Sequence, residues 1–333
     1  MKTAILTAAD VLAKYRNGEK LTDLDLTGLD FAGADFAGAD FTGSTLARAA
    51  FRKANLVKAS LQNAVLTETD FTGADLTEAL LGGAQAISAR FIRTNLTQAD
   101  MAQGNFTEAD FTEANLTGAA LAGAVFAKAR FVDAKAVKVG APQTVFTGAD
   151  LTDADFTEAD LTDANLSATA LSYTTFLKAK GDGASFCGAR GEKTTFGQTS
   201  LKGSRADGET MIIDGRFNMV DLTGANWKGA KLLRAQMVAA VLDGADFSGA
   251  DLTGSIMLTT SAKETSFQDA NLSEANFSQI ELAGGSLRRA DLTRTDLKMS
   301  NLAGVDFFES KQVKTNLAGA NLAGTILAPQ SEG

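Results

Sequence analysis

The chain has 333 residues, 45% of them hydrophobic, with 32 glycines, two prolines, one cysteine, no histidine and a net charge of −9 at pH 7. One cysteine excludes an internal disulfide framework, and the lack of histidine removes the commonest neutral-pH proton shuttle and the commonest nitrogen ligand for zinc. The acidic balance disfavours direct nucleic-acid binding, which needs a concentrated basic footprint, and no apolar run is long enough for membrane insertion. Met1 to Leu12 carries Lys2 and a short apolar stretch interrupted by Asp10. It lacks the apolar core and cleavage region of a signal peptide, so a cytoplasmic location is expected.

Residues 1–20 predict an N-terminal capping helix. Thr7 suits the N-cap, Asp10 the first turn and Gly18 the C-terminal stop. Ile5, Leu6, Val11, Leu12 and Tyr15 are placed to cover the start of the chain beyond residue 20.

From Leu21 an apolar residue recurs at every fifth position, through Leu26, Phe31, Phe36 and Phe41 to Met211. Of these 39 positions, 33 are Leu, Phe or Met. A second run goes from Phe217 to Leu327, where 20 of 23 positions are Leu, Phe or Met and one is Trp227. Twenty of the 21 phenylalanines fall on this grid, whereas chance would scatter them over five phases. Two residues before each central position comes a small residue, as at Ala34, Ala39 and Ala54, and between the two stands Asp or Asn very often. A period of five fits neither a helix at 3.6 nor an exposed strand at 2, so it describes a turning backbone whose coils stack into a solenoid.

The two runs differ in register by one residue. The first is assigned to 21–211, a shift or bulge to 212–216, the second run to 217–327, and a short tail to 328–333. One extra residue therefore lies between about Asp207 and Phe217, with Met211-Ile212-Ile213 as the segment expected to carry the chain from one grid to the next. Several central positions are undersized or polar, among them Ala86, Ala136, Ala141, Gly181, Gly191, Ala206, Ala262 and Gln312. Ile87, Val137 and Val313 come directly after three of these and are candidates to turn inward instead. Residues 179–216 concentrate the departures, with Lys178, Lys180, Arg190, Lys193, Lys202 and Arg205 in or beside them. They read as structural irregularity, with a partner-binding bulge as the alternative. After Leu327 no second cap is visible, so the final coil is expected to fray or to pair end to end.

Segments such as Ala34-Asp35-Phe36-Ala37-Gly38 and Ala320-Asn321-Leu322-Ala323-Gly324 resemble the pentapeptide-repeat family throughout residues 21–327. The resemblance implies an all-β solenoid, a right-handed quadrilateral β-helix with four pentapeptides per coil. It then implies about 15 coils and, at about 4.8 Å per coil, a rod of about 70–75 Å. Residues twenty apart should stack. One such column reads Asp30, Ala50, Asp70, Arg90, Asp110, Arg130, Asp150, Ala170 and Arg190, with Arg90 and Arg130 each between two aspartates.

No catalytic constellation emerges, and neither a cofactor nor a metal site is expected. Asp150, Asp155 and Asp160 gather with Asp153, Glu158 and Asp163, but such spacing spreads them around the sides of one coil, away from any common ion. They remain candidates for protein contact, as do the outward apolar residues Leu233, Val238, Leu258 and Phe308. Cys187 should face outward, and Trp227 should lie in the core. The expected function is a non-catalytic scaffold that binds another protein, as a monomer or an end-to-end dimer. The family resemblance implies two versions: an accessory of bacterial type VI secretion, or a DNA mimic acting on DNA gyrase or topoisomerase IV.

Overall fold

The computed structural model describes residues 6–328 of the chain. Helix α1 (Ala8–Arg16) opens with a capping box, in which the Thr7 hydroxyl accepts from the Asp10 N–H while the Asp10 carboxylate accepts from the Thr7 N–H at 2.9 Å. It ends where Gly18, at φ +76°, donates to the Tyr15 carbonyl and Glu19 donates to Lys14, the 5→2 and 6→1 bonds of a glycine-terminated helix. Val11 is buried, and Tyr15 donates to the Ala37 carbonyl at 2.7 Å with its ring edge-on to Phe36. Of the expected covering residues, Ile5 lies outside the described residues.

From Asp25 on, parallel bridges join residues twenty apart: Asp25 to Thr45, Asp30 to Ala50, Asp35 to Asn55, Asp40 to Ser60, and so on along the chain. Four pentapeptides therefore make one coil. Each side contributes a single paired residue where a fully extended strand would contribute several. The two three-residue strands, β1 (Arg190–Glu192) and β2 (Met211–Ile213), pair in parallel and are the exception among the described residues.

The consensus is explained by accounting for backbone donors, each of which must find an acceptor when it leaves water. In a repeat such as Asp70-Phe71-Thr72-Gly73-Ala74, Phe71 and Gly73 donate to the next coil at Arg90 and Ile92. Asp70 donates to the preceding coil at Ala49, and Ala74 closes the corner by donating to Phe71. The fifth donor, Thr72, is taken by its own repeat's aspartate, whose Oδ1 also accepts the Thr72 hydroxyl. Asp or Asn is thus an Asx-turn residue that satisfies the N–H left over by the solenoid.

Inside, the central residues are almost all fully buried, and phenylalanines stack coil upon coil. Phe51, Phe71, Phe91, Phe111 and Phe131 form one column with centroid spacings of 4.8–5.4 Å. The small positions are buried beside them. Where Ser or Thr stands there, the hydroxyl can donate to a carbonyl 23 residues earlier, as Ser44 does to Leu21 and Thr69 to Leu46.

The chain divides into two compact units, Met1–Asn165 and Leu166–Gly333. The register change lies inside the second. Bridges there lengthen to 21 residues for one coil (Arg190 to Met211, Thr195 to Arg216, Ser200 to Asp221, Arg205 to Asn226) and return to 20 at Met211 to Lys231. Ile212, not Met211, is the fully buried central residue, so the extra residue enters at the corner after Ala206, ahead of the expected switch at Met211-Ile212-Ile213. Asp207 makes room for it: its Oδ1 accepts from the N–H groups of Gly188, Glu209 and Thr210 at 2.9, 3.1 and 3.1 Å.

Three inward turns expected from sequence do not occur. Ala86 and Ala136 stay fully buried while Ile87 is exposed and Val137 half-buried, and Gln312 and Val313 are both exposed. Between the undersized Ala136 and Ala141, Val139 fills the small inward position, which restores volume without moving the backbone. Trp227 is fully buried and donates through Nε1 to the Ser204 hydroxyl at 3.0 Å.

Candidate functional site

Outward side chains are arranged by the same arithmetic: on each side the bridge residue and the residue after the central one face solvent, and the next occupies a corner. Among the described residues, thirty-nine non-glycine residues hold φ between 53° and 61° at those corners, the left-handed region. Ion pairs run along corner columns, one coil to the next: Arg93 to Glu113 at 2.9 Å, Arg234 to Asp214 at 2.7 Å and Arg289 to Asp269 at 2.6 Å. The Arg289 guanidinium, aided by the Gln268 amide, holds the Asp269 carboxyl down to about 2. Sequence reasoning does not single out these corner pairs, although their spacing of twenty is visible there.

The stacked column Asp30 to Asp150 is present as expected. The direct pairing within it differs. Arg52, on the adjacent column, reaches Asp30 at 3.8 Å and Asp70 at 3.5 Å. No ion pair within 4 Å forms at Arg90 or Arg130 among the described residues, although the Arg90 charge contributes to lowering Asp70.

The predicted acidic cluster is spread out. Asp150, Asp155 and Asp160 stand on three successive sides, over Arg130, Lys135 and Gly140 respectively. Each accepts the N–H of the threonine two residues on, at 2.9–3.1 Å, so each is also an Asx-turn residue. Among the described residues no group of His, Cys, Asp and Glu is placed to hold a metal ion. Charge is uneven along the chain: 22 acids against 14 bases up to Asn165, and 18 against 17 from Leu166.

Of the apolar candidates, Val238 and Leu258 stack on adjacent coils and are half-buried, while Leu233 lies on the preceding side. Phe308 is 70 residues, or three and a half coils, beyond Val238 and so belongs to the opposite side. It is 43% exposed under the Arg288 guanidinium at 4.3 Å. Val238 and Leu258 sit beside the column Thr175, Thr195, Arg216, Gln236, Ile256, Asn276 and Asp296. With its flanking outward and corner residues, that side carries no acid from Thr175 to Gln279. Cys187 is half-buried.

This geometry, a four-pentapeptide coil built from A-(D/N)-(L/F)-x-x repeats, defines a β-solenoid. The family model for pentapeptide repeats matches in eight copies, over residues 20–56, 45–83, 89–127, 105–139, 143–177, 216–257 and 270–307. The chain belongs to the pentapeptide-repeat family. No curated protein sequence matches it. Among solved structures it is similar to HetL, a pentapeptide repeat protein involved in heterocyst differentiation regulation in the cyanobacterium Nostoc, with 22% identity over 97% of each chain and a TM-score of 0.25. It is also similar to QnrB1, a plasmid-mediated fluoroquinolone resistance protein, with 16% identity over 63% of this chain and 92% of that one and a TM-score of 0.37. A thylakoid-lumen pentapeptide repeat protein of Arabidopsis thaliana is 38% identical over 29% of this chain and 64% of its own, with a TM-score of 0.21. Among the described residues no helix is long and apolar enough to cross a membrane.

Proposed function

We propose that this chain is a non-catalytic scaffold, wound as the family's right-handed quadrilateral β-helix, that binds another protein through flat sides. The observation that carries this reading is the stretch of one side of the second unit, from Thr175 to Gln279, that holds no acid, where Val238 and Leu258 lie half-buried with Met219 52% exposed beside them, in a protein whose acids outnumber its bases. A flat apolar area cleared of one charge sign is what a protein interface needs and a soluble surface does not. Site-specific photo-crosslinking in the source organism tests it. A probe at Val238 should yield a discrete protein adduct, and a probe at Thr72 on the first unit should not; equal or absent adducts at both positions would reject the reading. Adducts with secretion-sheath or effector components would support the accessory role in type VI secretion.

A second reading, mimicry of DNA toward DNA gyrase or topoisomerase IV, is favoured by the acid excess of the first unit. The side carrying Asp40, Asp100 and Asp160 has no Lys or Arg in its own sequence from Leu21 to Asn165, and Lys20 reaches Asp40 at 3.5 Å. Adducts with topoisomerase subunits from a probe on that side would favour it.

A further inference from the structure

The side of the second unit that carries no acid from Thr175 to Gln279 has an order that protein binding alone does not require. Its bridge column reads Arg216, Gln236, Ile256, Asn276, Asp296, with Ile256 in the middle. Reversed, the same column reads acid, amide, isoleucine, amide, base. The adjoining corner column begins with Met219, 52% exposed, and ends four coils later with Met299, 67% exposed. Between them, level with Ile256, Leu258 faces outward, half-buried.

We propose that this side is a self-complementary interface on which a second copy of the chain packs face to face and antiparallel. The two-fold axis lies in the interface, across the coil direction at Ile256. Such an axis keeps each column opposite itself and reverses its order, as an isologous contact demands. Arg216 of each copy then meets Asp296 of the other, Gln236 meets Asn276, Met219 meets Met299, and Ile256 and Leu258 meet their own equivalents. Both copies share the same coil spacing, so the rows stay in step over the whole contact.

The charges agree with this pairing. No ion pair within 4 Å forms at Arg216 among the described residues, whereas Asp296 holds Lys298 at 3.6 Å and accepts from the Asn316 amide at 2.9 Å. Every other side of the second unit carries acids within these coils, as at Asp251, Asp243 and Asp246, and would set carboxylates against carboxylates. The contact is short, about 20 Å from first to fifth row. It falls below the area of a permanent dimer, so a concentration-dependent equilibrium in the micromolar range is the expected form.

Sedimentation velocity of the full-length chain over a concentration series tests the inference, with circular dichroism confirming that each variant folds. The wild type should shift from monomer toward dimer by about 100 µM. Leu258→Asp should abolish the shift. Arg216→Asp and Asp296→Arg should each weaken dimerisation about tenfold, because both symmetry-related pairs become repulsive. The double variant Arg216→Asp/Asp296→Arg should restore it. A monomer at all concentrations, association untouched by Leu258→Asp, or failure of the charge swap to restore it would each overturn the interface. The scaffold reading stands or falls separately, on the crosslinking of other proteins at Val238.

Discussion

Ser255 occupies a small inward position where its neighbours in the repeat show what a hydroxyl does. Thr260 and Thr265 each donate to a carbonyl 23 residues back, at 2.7 Å, whereas the Ser255 hydroxyl is fully buried with no partner. A buried unpaired hydroxyl costs about 1–3 kcal/mol, and a paired one contributes about 1. Ser255→Ala should therefore raise stability by about 1 kcal/mol, and Thr265→Ala should lower it by about 1–2 once the lost methyl is included. Urea titrations of the two variants should move in opposite directions, and a shared direction would mean the hydroxyl of Ser255 is satisfied after all. The corners give a second residue-level test. Ala168 holds φ 57° without a polar side chain to offset the strain. Left-handed backbone costs an L-residue about 1–2 kcal/mol, and glycine returns about 0.5–1 of that as unfolded-state entropy. Ala168→Gly should raise the melting temperature; a fall would show that the corner is not strained.

The single coil, with its four pentapeptides, is the element in which sequence legibility can be judged. The inward residues and the small position are readable because each depends on spacing alone, the helical cap is readable from Thr7, Asp10 and Gly18, and the stacking of residues twenty apart comes with the family resemblance. What escapes depends on how backbone donors are shared. The position of the extra residue is a case: Met211 continues the numerical grid, but Asp207 can accept three N–H groups at once only if the expansion starts at its own corner, which brings Ile212 inward. Val139 restoring the volume lost at Ala136 and Ala141 is another, since a valine two places off the grid looks like an ordinary variant. For the candidate site, the spread of Asp150, Asp155 and Asp160 over three sides is set by the period, and their capture in Asx turns is not. The spacing of twenty does separate Phe308 from Val238, since 70 residues is three and a half coils. Partial burial pulls the Asp207 carboxyl up, but the bonds from Gly188, Thr210 and Glu209 outweigh it and hold the group below its ordinary value. A depressed folded value means the stabilisation is present above about pH 4 and is lost as pH falls through that lowered value. Asp207→Ala should cost about 2 kcal/mol at pH 7. As pH falls through that lowered value the gap from wild type should shrink as the wild-type carboxylate protonates. A gap independent of pH would assign the loss to packing at the expanded corner.

At the scale of the whole molecule, the division of charge decides between the two functional readings. Nearly all of the excess acid belongs to the first unit, 22 acids against 14 bases, and the second unit is close to neutral. A DNA substitute must present charge at the density of a duplex, one per about 1.7 Å of axis. On the side of the first unit with no Lys or Arg from Leu21 to Asn165, Asp40, Asp100 and Asp160 are separated by 60 residues, hence three coils, or about 14 Å. Only the corner residues Asp23 and Asp163 add acid to that side, one at each end. The remaining sides interleave bases, with Arg130 under Asp150 and Lys135 under Asp155. Such a surface is several-fold too dilute to compete with DNA for a basic groove. The purified chain should leave gyrase supercoiling unaffected at equimolar concentration, and its complexes should weaken only modestly between about 50 and 200 mM salt, where multiple phosphate-like contacts would cost about 10³-fold or more. Potent inhibition that disappears when Asp40, Asp100 and Asp160 are changed to Asn would reverse this ranking. It would require the partner to read the three carboxylates at their spacing of about 14 Å, because no closer row of acids runs from coil to coil on that side of the first unit.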